Sequence, residues 1–260
     1  MTELMADLAR CNYWDQPPEN LGLRRTHYLE PLIEAGESRL IKVLVGQRRS
    51  GKSYLLRQVI DDLIRNKGIN PKNIFYLNKE LLEFDYVRTY SDLKSLIDDY
   101  EKMLGITGKV YVFLDEIQEI DGWEKAVNAL SQDHKKDYSV FMTGSNSTLL
   151  SGELASHLSG RYLSWDILPF SYQEFCQASN VAASKQSFIH YLRSGGLPEL
   201  FHLNDDELRR HYVGALYNTI ILKDIVNRHK VKDPYLLESI FKYLADNVGN
   251  IFSINRVVDT

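Results

Sequence analysis

The chain has 260 residues, 44% hydrophobic and 25% charged, the balance of an ordinary soluble globular protein long enough for at least one full core. Its formal net charge of −4 excludes a global attraction to nucleic acid or to an anionic membrane surface, so binding to either would have to be local. Cys11 and Cys176 are far apart and form no C-x-x-C pair, which argues against a disulfide framework or a zinc module and fits a reducing compartment.

In chain order, the N-terminal stretch MTELMADLARCNYWDQPPEN lacks the basic start and apolar run of a signal peptide, and no later run has the apolar length of a membrane span. A cytoplasmic protein without membrane contact is expected. Tyr13 and Trp14, followed by Pro17 and Pro18, admit either disorder or packing near a ligand. Apolar runs at 40–45, 73–77, 109–114, 138–143 and 161–168 are enriched in β-branched or aromatic residues and predict buried strands. Helical patterns at 52–66, 91–104, 123–132 and 147–158 alternate with them. This alternation predicts a parallel sheet covered on both faces, a three-layer α/β domain over residues 20–169. After Pro169 the pattern turns helical, opening on the capping-box spacing at 171–174 and continuing past the GGLP punctuation at 195–198 into a long helical run at 206–228. The last residues predict a helix from 236, a turn at 247–249 and a second helix from near Ser253.

The sharpest motif is GQRRSGKS, residues Gly46, Gln47, Arg48, Arg49, Ser50, Gly51, Lys52 and Ser53, with Tyr54 following. It matches the phosphate-binding pattern G-x-x-x-x-G-K-S/T and sits between a predicted strand and a predicted helix. The glycines let the backbone curl so that N–H groups converge on one anion, and the helix N-terminus adds its positive end. Lys52 is then expected to bridge the β- and γ-phosphates and Ser53 to hold Mg²⁺.

The run VYVFLDE, residues 110–116, ends a buried strand on two adjacent carboxylates, where an open α/β sheet presents ligand-binding groups. Asp115 fits a magnesium role, and Glu116 is the expected base for the attacking water. Thr143, Ser145 and Asn146 end a further strand and either contact the attacking water or γ-phosphate or merely cap the next helix. That strand is expected to lie between those carrying the loop and the acidic pair. Arg161 either stabilises charge on the γ-phosphate, in cis or from a neighbouring subunit, or serves as a structural ion-pair partner. Arg24, Arg25 and Tyr28 precede the first strand and are candidates for lining an adenine site. The stretch at 78–81, NKEL, lacks the aspartate of a guanine-specificity motif, so ATP is expected over GTP. The seven histidines show no metal-binding spacing, and the basic stretch at 223–233 reads as a solvated helix end or a local contact for nucleic acid or a second subunit.

The phosphate loop with its paired arginines, LDEIQEIDGWEKAV at 114–127, TGSNSTLLSGELASHLSGR at 143–161, LPFSYQEF at 168–175, GGLPE and KDIVNRHKVKD occur in an order that resembles a prokaryotic AAA-like P-loop ATPase family. The resemblance runs from about Arg24 to the end. It implies ATP as ligand, Lys52 and Ser53 at phosphate and magnesium, Asp115 and Glu116 as metal and water residues, and Arg161 as a charge stabiliser. Such proteins typically continue into a winged helix and a restriction-endonuclease-like domain. On that pattern residues 170–232 are a helical subdomain and 233–260 a partial winged helix, so nucleic-acid binding is expected only with a completed winged helix. The expected activity is ATP hydrolysis coupled to conformational change, possible in a homo-oligomer. The alternative is a nucleotide-dependent switch or scaffold with negligible turnover, and a small-molecule kinase is disfavoured because Glu116 directly follows Asp115.

Overall fold

The computed structural model describes residues 3–144, 158, 160–220, 225, 226 and 230–250. They fall into two units, Met1–Phe201 and His202–Thr260. In the first, β1 (Ile41–Val45), β2 (Ile74–Asn78), β3 (Val110–Asp115), β4 (Tyr138–Gly144) and β5 (Tyr162–Asp166) form a wholly parallel sheet in the order β2-β3-β4-β1-β5. The strand β4 does lie between β1 and β3. Helices α1 (Glu3–Cys11), α2 (Thr26–Ala35), α3 (Lys52–Arg65), α4 (Tyr90–Leu104) and α5 (Trp123–Ser131) cover it.

The period-2 alternation of strand side chains builds two cores, one on each face of the sheet. Ile41, Val43, Val45, Val110, Val112 and Leu114 pack with Leu8 of α1, Leu93 and Ile97 of α4, and Val127 and Leu130 of α5. On the other face Leu44, Tyr111, Phe113 and Phe141 pack with Leu29 and Leu32 of α2 and Leu55, Leu56, Val59 and Ile60 of α3. Phe113 and Phe141 stack at 4.7 Å between centroids. Each such side chain, removed from water, stabilises the fold by about 1.5–3 kcal/mol. The fold class is therefore the three-layer α/β arrangement expected.

The apolar runs located the strands to within about two residues. The last run extends beyond β5, because only Ile167, whose N–H donates to Val45 O at 2.7 Å, continues the pairing, while Leu168 is 63% exposed before Pro169. The sequence reading did not include α1 or α2, and α2 carries Pro31 inside it, a residue that normally argues against a helix. The helix expected at 147–158 and the one from near Ser253 lie outside the described residues, apart from Leu158.

Between α1 and α2 the chain runs along β2, the edge of the sheet. Asn12 Nδ2 donates to Tyr76 O at 3.0 Å and Asn12 Oδ1 accepts from Tyr76 N at 2.7 Å. Trp14 Nε1 donates to Ile74 O at 2.8 Å, its ring stacked 5.5 Å from Tyr100. Tyr13 and Trp14, open between two readings in the sequence, thus pack on β2.

After β5 come α6 (Tyr172–Ser179) and α7 (Lys185–Ser194), each opened by a full capping box, at Ser171 with Glu174 and at Ser184 with Ser187. Both belong to the first unit. The second unit contains α8 (Asp206–Thr219) and α9 (Pro234–Asp246), capped by Asp205 and Asp233, and neither helix contains a buried residue. Among the described residues no helix is long and apolar enough to cross a membrane.

Candidate functional site

Because all strands run the same way, their C-terminal ends share one edge of the sheet. The loop of residues 46–51 leaves β1 there, Asp115 closes β3, and Thr143 lies near the end of β4. Gly46 is required by contact, since a Cβ at that position would lie 2.3 Å from Ile167 O. Gly51 has φ 95°, in the left-handed region, where it turns the loop into α3. That helix has neither a side-chain cap nor an acidic residue in its first turn, unlike α4 and α6, which begin with capping boxes. Its N-terminus is thereby suited to an anion.

Lys52, 4% exposed, points into the loop and donates to Gly46 O and Gln47 O, both at 3.1 Å. Its Nζ lies 3.9 Å from Glu116 Oε1. Burial pushes its pKa down, and Glu116 and Asp115 partly restore it. Ser50 Oγ is buried without a hydrogen-bond partner among the described residues. Arg48 is 3.8 Å from Glu80 Oε1, Gln47 and Arg49 are exposed, and Arg49 holds a left-handed φ of 66°. Tyr54 is 45% exposed beneath the guanidinium of Arg57, which sits 4.1 Å from the ring centroid.

Asp115 is fully buried. Burial raises its pKa, opposed by hydrogen bonds from Thr143, Ser53 and Tyr76. Thr143 Oγ1 donates to Asp115 Oδ1 at 2.5 Å and accepts from Glu116 N at 3.0 Å, while Tyr76 OH donates to Asp115 Oδ2 at 3.1 Å. Glu116 adopts a left-handed φ of 56°, and Gln118 Nε2 donates to its Oε2 at 2.5 Å. Asp115 and Ser53 together present hard oxygen donors, the chemistry that Mg²⁺ prefers, so these residues fit that ion. The loop, Lys52, Ser53, Asp115 and Glu116 are thus brought together as the sequence predicted.

Three further placements follow. The Thr143 hydroxyl is engaged by the two acidic residues, Asp115 through its carboxylate and Glu116 through its main-chain N–H. Arg161 lies at the opposite edge of the sheet, where its carbonyl accepts from Ile41 N at 3.0 Å and β5 begins beside Ile41. Five residues of β1 at a rise of about 3.3 Å separate the two edges by roughly 16 Å, so Arg161 does not reach the loop of its own chain. Arg25 and Tyr28, candidates for an adenine site, are engaged by protein groups. Arg25 forms a buried two-pronged ion pair with Glu174, Nε to Oε1 at 2.6 Å and Nη2 to Oε2 at 3.1 Å, and donates to Ser50 O at 3.1 Å. Tyr28 OH donates to Asp166 O and accepts from Leu168 N. Arg24 pairs with Asp62 at 2.7 Å. Asn146 and Ser145 lie outside the described residues.

Sequence reasoning missed Tyr76, Gln118 and the loop-bracing role of Arg25 and Glu174. Gln118 stands two residues after Glu116 and was within reach of a local argument; Tyr76 is one aromatic in an apolar strand and gave no signal. Burial pushes the Glu174 carboxyl up, but Arg25 and the Ser171 backbone and hydroxyl together hold it below its usual value.

The family described as AAA domain matches residues 38–176, and one described as a domain of unknown function matches residues 185–260. An uncharacterized protein of Haemophilus influenzae is 40% identical over 242 residues, covering 92% of this chain and 59% of that protein. An uncharacterized protein of Methanocaldococcus jannaschii is 29% identical over 231 residues, covering 84% of this chain and 49% of its own. The chain therefore spans about half to three-fifths of the length of these curated relatives. Among solved structures, Cdc6p from Pyrobaculum aerophilum aligns at a TM-score of 0.43 and 14% identity, over 63% of this chain and 50% of that one. The replication initiator DnaA, bound to AMPPCP and single-stranded DNA, aligns at 0.42 and 15%, over 94% and 75%.

Proposed function

Since the chain belongs to the AAA domain family of nucleotide-binding P-loop ATPases, we propose that it binds ATP with Mg²⁺ and hydrolyses it. The observation that carries this reading is the meeting of Lys52 with Glu116 at 3.9 Å beside the buried Asp115, at the C-terminal edge of the sheet. The N-terminus of α3 and the loop N–H groups hold the phosphates, and Lys52 neutralises charge on the β- and γ-oxygens. Ser53 and Asp115 hold Mg²⁺, which when bound offsets phosphate charge. Glu116 takes the proton of a water whose oxygen attacks the γ-phosphorus as the bond to the β-phosphate oxygen breaks. Asn146 orients that water.

The edge-opposite placement of Arg161 supports a role in trans: in a homo-oligomer it reaches the γ-phosphate held by a neighbouring copy, and the site is complete only there. Hydrolysis would then drive conformational change in the helical residues that follow the sheet. Nucleic-acid binding, on this reading, needs a complete winged helix.

The test is ATP hydrolysis by wild type, Lys52→Ala and Glu116→Gln, with nucleotide-binding titrations alongside. Loss of turnover in both variants with binding retained in Glu116→Gln supports the reading; full turnover in Glu116→Gln removes Glu116 as the base. A second reading, a nucleotide-dependent switch with negligible turnover, draws on one feature, the engagement of Glu116 by Gln118 at 2.5 Å. Robust steady-state turnover by the wild type rules it out.

A further inference from the structure

Asp115 is braced from both sides, and only one of the braces belongs to the strands that build the site. A carboxylate fixed at one oxygen swivels about its last torsion; fixed at both, its plane is set. Thr143 on the neighbouring β4 takes Oδ1, and Tyr76 on the edge strand β2 takes Oδ2. The register pairs Asp115 with Asn78 and not with Tyr76, so the tyrosine reaches the carboxylate from two residues back, using its full ring length. That reach is useful only if the backbone beneath it is held. An edge strand has a neighbour on one side alone, yet both main-chain groups of Tyr76 on the free side are taken by the side-chain amide of Asn12. The ring of Tyr13 packs 5.6 Å from that of Tyr76.

We propose that Tyr76 is a positioning residue for the magnesium-holding carboxylate of Asp115, and that the N-terminal segment, through Asn12, sets it. The proposal rests on the reading of Asp115 as a magnesium residue. The continuous path runs from Asn12 to the Tyr76 main chain, along its ring to the hydroxyl, and to Asp115 Oδ2. A segment outside the strand and loop motifs thereby governs how well the site couples metal to nucleotide.

The experiment measures binding of a non-hydrolysable ATP analogue against Mg²⁺ concentration, in wild type, Tyr76→Phe and Asn12→Ala, with melting curves for each. Tyr76→Phe removes one oxygen and keeps the packed ring. It is expected to raise the half-saturating Mg²⁺ concentration about tenfold, the usual size of a lost hydrogen bond behind a metal ligand, while analogue affinity without Mg²⁺ stays within about twofold. Asn12→Ala leaves the hydroxyl in place and is expected to move the Mg²⁺ requirement in the same direction by about threefold. An unchanged Mg²⁺ requirement in a folded Tyr76→Phe protein overturns the proposal, as does an equal loss of affinity with and without Mg²⁺, which a merely structural role would give. Should Tyr76→Phe fail to fold, an unchanged requirement in Asn12→Ala overturns it. A wild type whose analogue binding ignores Mg²⁺ overturns the magnesium reading itself and this inference with it, an outcome distinct from a Mg²⁺-dependent wild type matched by its variants.

Discussion

Two buried lysines mark the opposite edges of the sheet. Lys52 sits at the C-terminal edge within 3.9 Å of Glu116, and burial lowers its pKa while two carboxylates pull it back. Lys42, in β1 near the other edge, is fully buried among neutral partners. Its Nζ donates to Ser38 O and Ser139 Oγ, both at 2.8 Å, and lies 4.9 Å from the ring centroid of Phe141. Burial, with Lys109 nearby, pushes it from 10.5 down to about 7, and Asp137 and Glu37 compensate only in part. The contrast teaches that burial alone does not make a functional cation. At Lys52 the carboxylates of Glu116 and Asp115 oppose the effect of burial, whereas the hydrogen-bond partners of the Lys42 amine are a carbonyl and a hydroxyl.

The largest expected effect breaks this pairing at its functional end. Lys52→Met should lower ATP turnover about a thousandfold, by analogy with loss of a charge-stabilising donor, while Lys42→Met leaves kcat within about twofold. Steady-state assays of the two proteins side by side measure the difference, and equal losses would erase the distinction between the edges.

Next in size is the buried pair that is fully matched. Glu174→Ala leaves the Arg25 guanidinium buried without its carboxylate and should cost about 3–5 kcal/mol in chemical denaturation. The Glu174 carboxyl is held below its usual pKa, so its contribution is present at neutral pH and above, and is lost as pH falls through that lowered value. Wild-type stability should therefore drop on acidification more steeply than that of the variant.

Thr143→Val keeps the shape and removes the hydroxyl that joins Asp115 to Glu116. Turnover should fall about a hundredfold and stability by about 1–3 kcal/mol, because a carboxylate oxygen and a backbone N–H are left short of a partner. Per pH unit, the smallest effect sharpens the comparison at the other lysine. Folding must leave Lys42 largely neutral above pH 7, whereas the unfolded chain keeps it protonated to about 10.5. Wild-type stability should therefore rise with pH across that window, by at most about 1.4 kcal/mol per unit, and Lys42→Met should flatten the rise. A slope that survives the substitution assigns it to another group.

How much of this was legible in the sequence follows from how local each feature is. The phosphate loop and the acidic pair were readable because spacing within eight consecutive residues, and adjacency within two, already fix their geometry. The strands were readable because parallel strands covered on both faces are apolar throughout. Arg25 and Glu174 stand 149 residues apart, and no local pattern connects them. Thr143 was recognised as the polar end of a strand, but its meeting with Asp115 was not legible, since only the pairing of Leu114 with Met142 puts its hydroxyl there. Arg161 is the instructive case: once the strands are taken as parallel, a residue at the start of β5 must lie away from a loop that follows the end of β1. α2, whose apolar face packs Leu29 and Leu32 with Leu55 and Val59, carries Pro31 inside the helix, and the sequence reading placed no element there.

The amide of Asn12 and the indole of Trp14 occupy hydrogen-bonding positions along β2 that another strand would otherwise fill. Side chains here stand in for a sixth strand without continuing the ladder, since a side-chain amide offers nothing on its far side for a further chain to extend. An uncovered strand is a template on which a second molecule can add and aggregation can grow. In this protein the segment that braces the site also makes that border of the sheet a dead end.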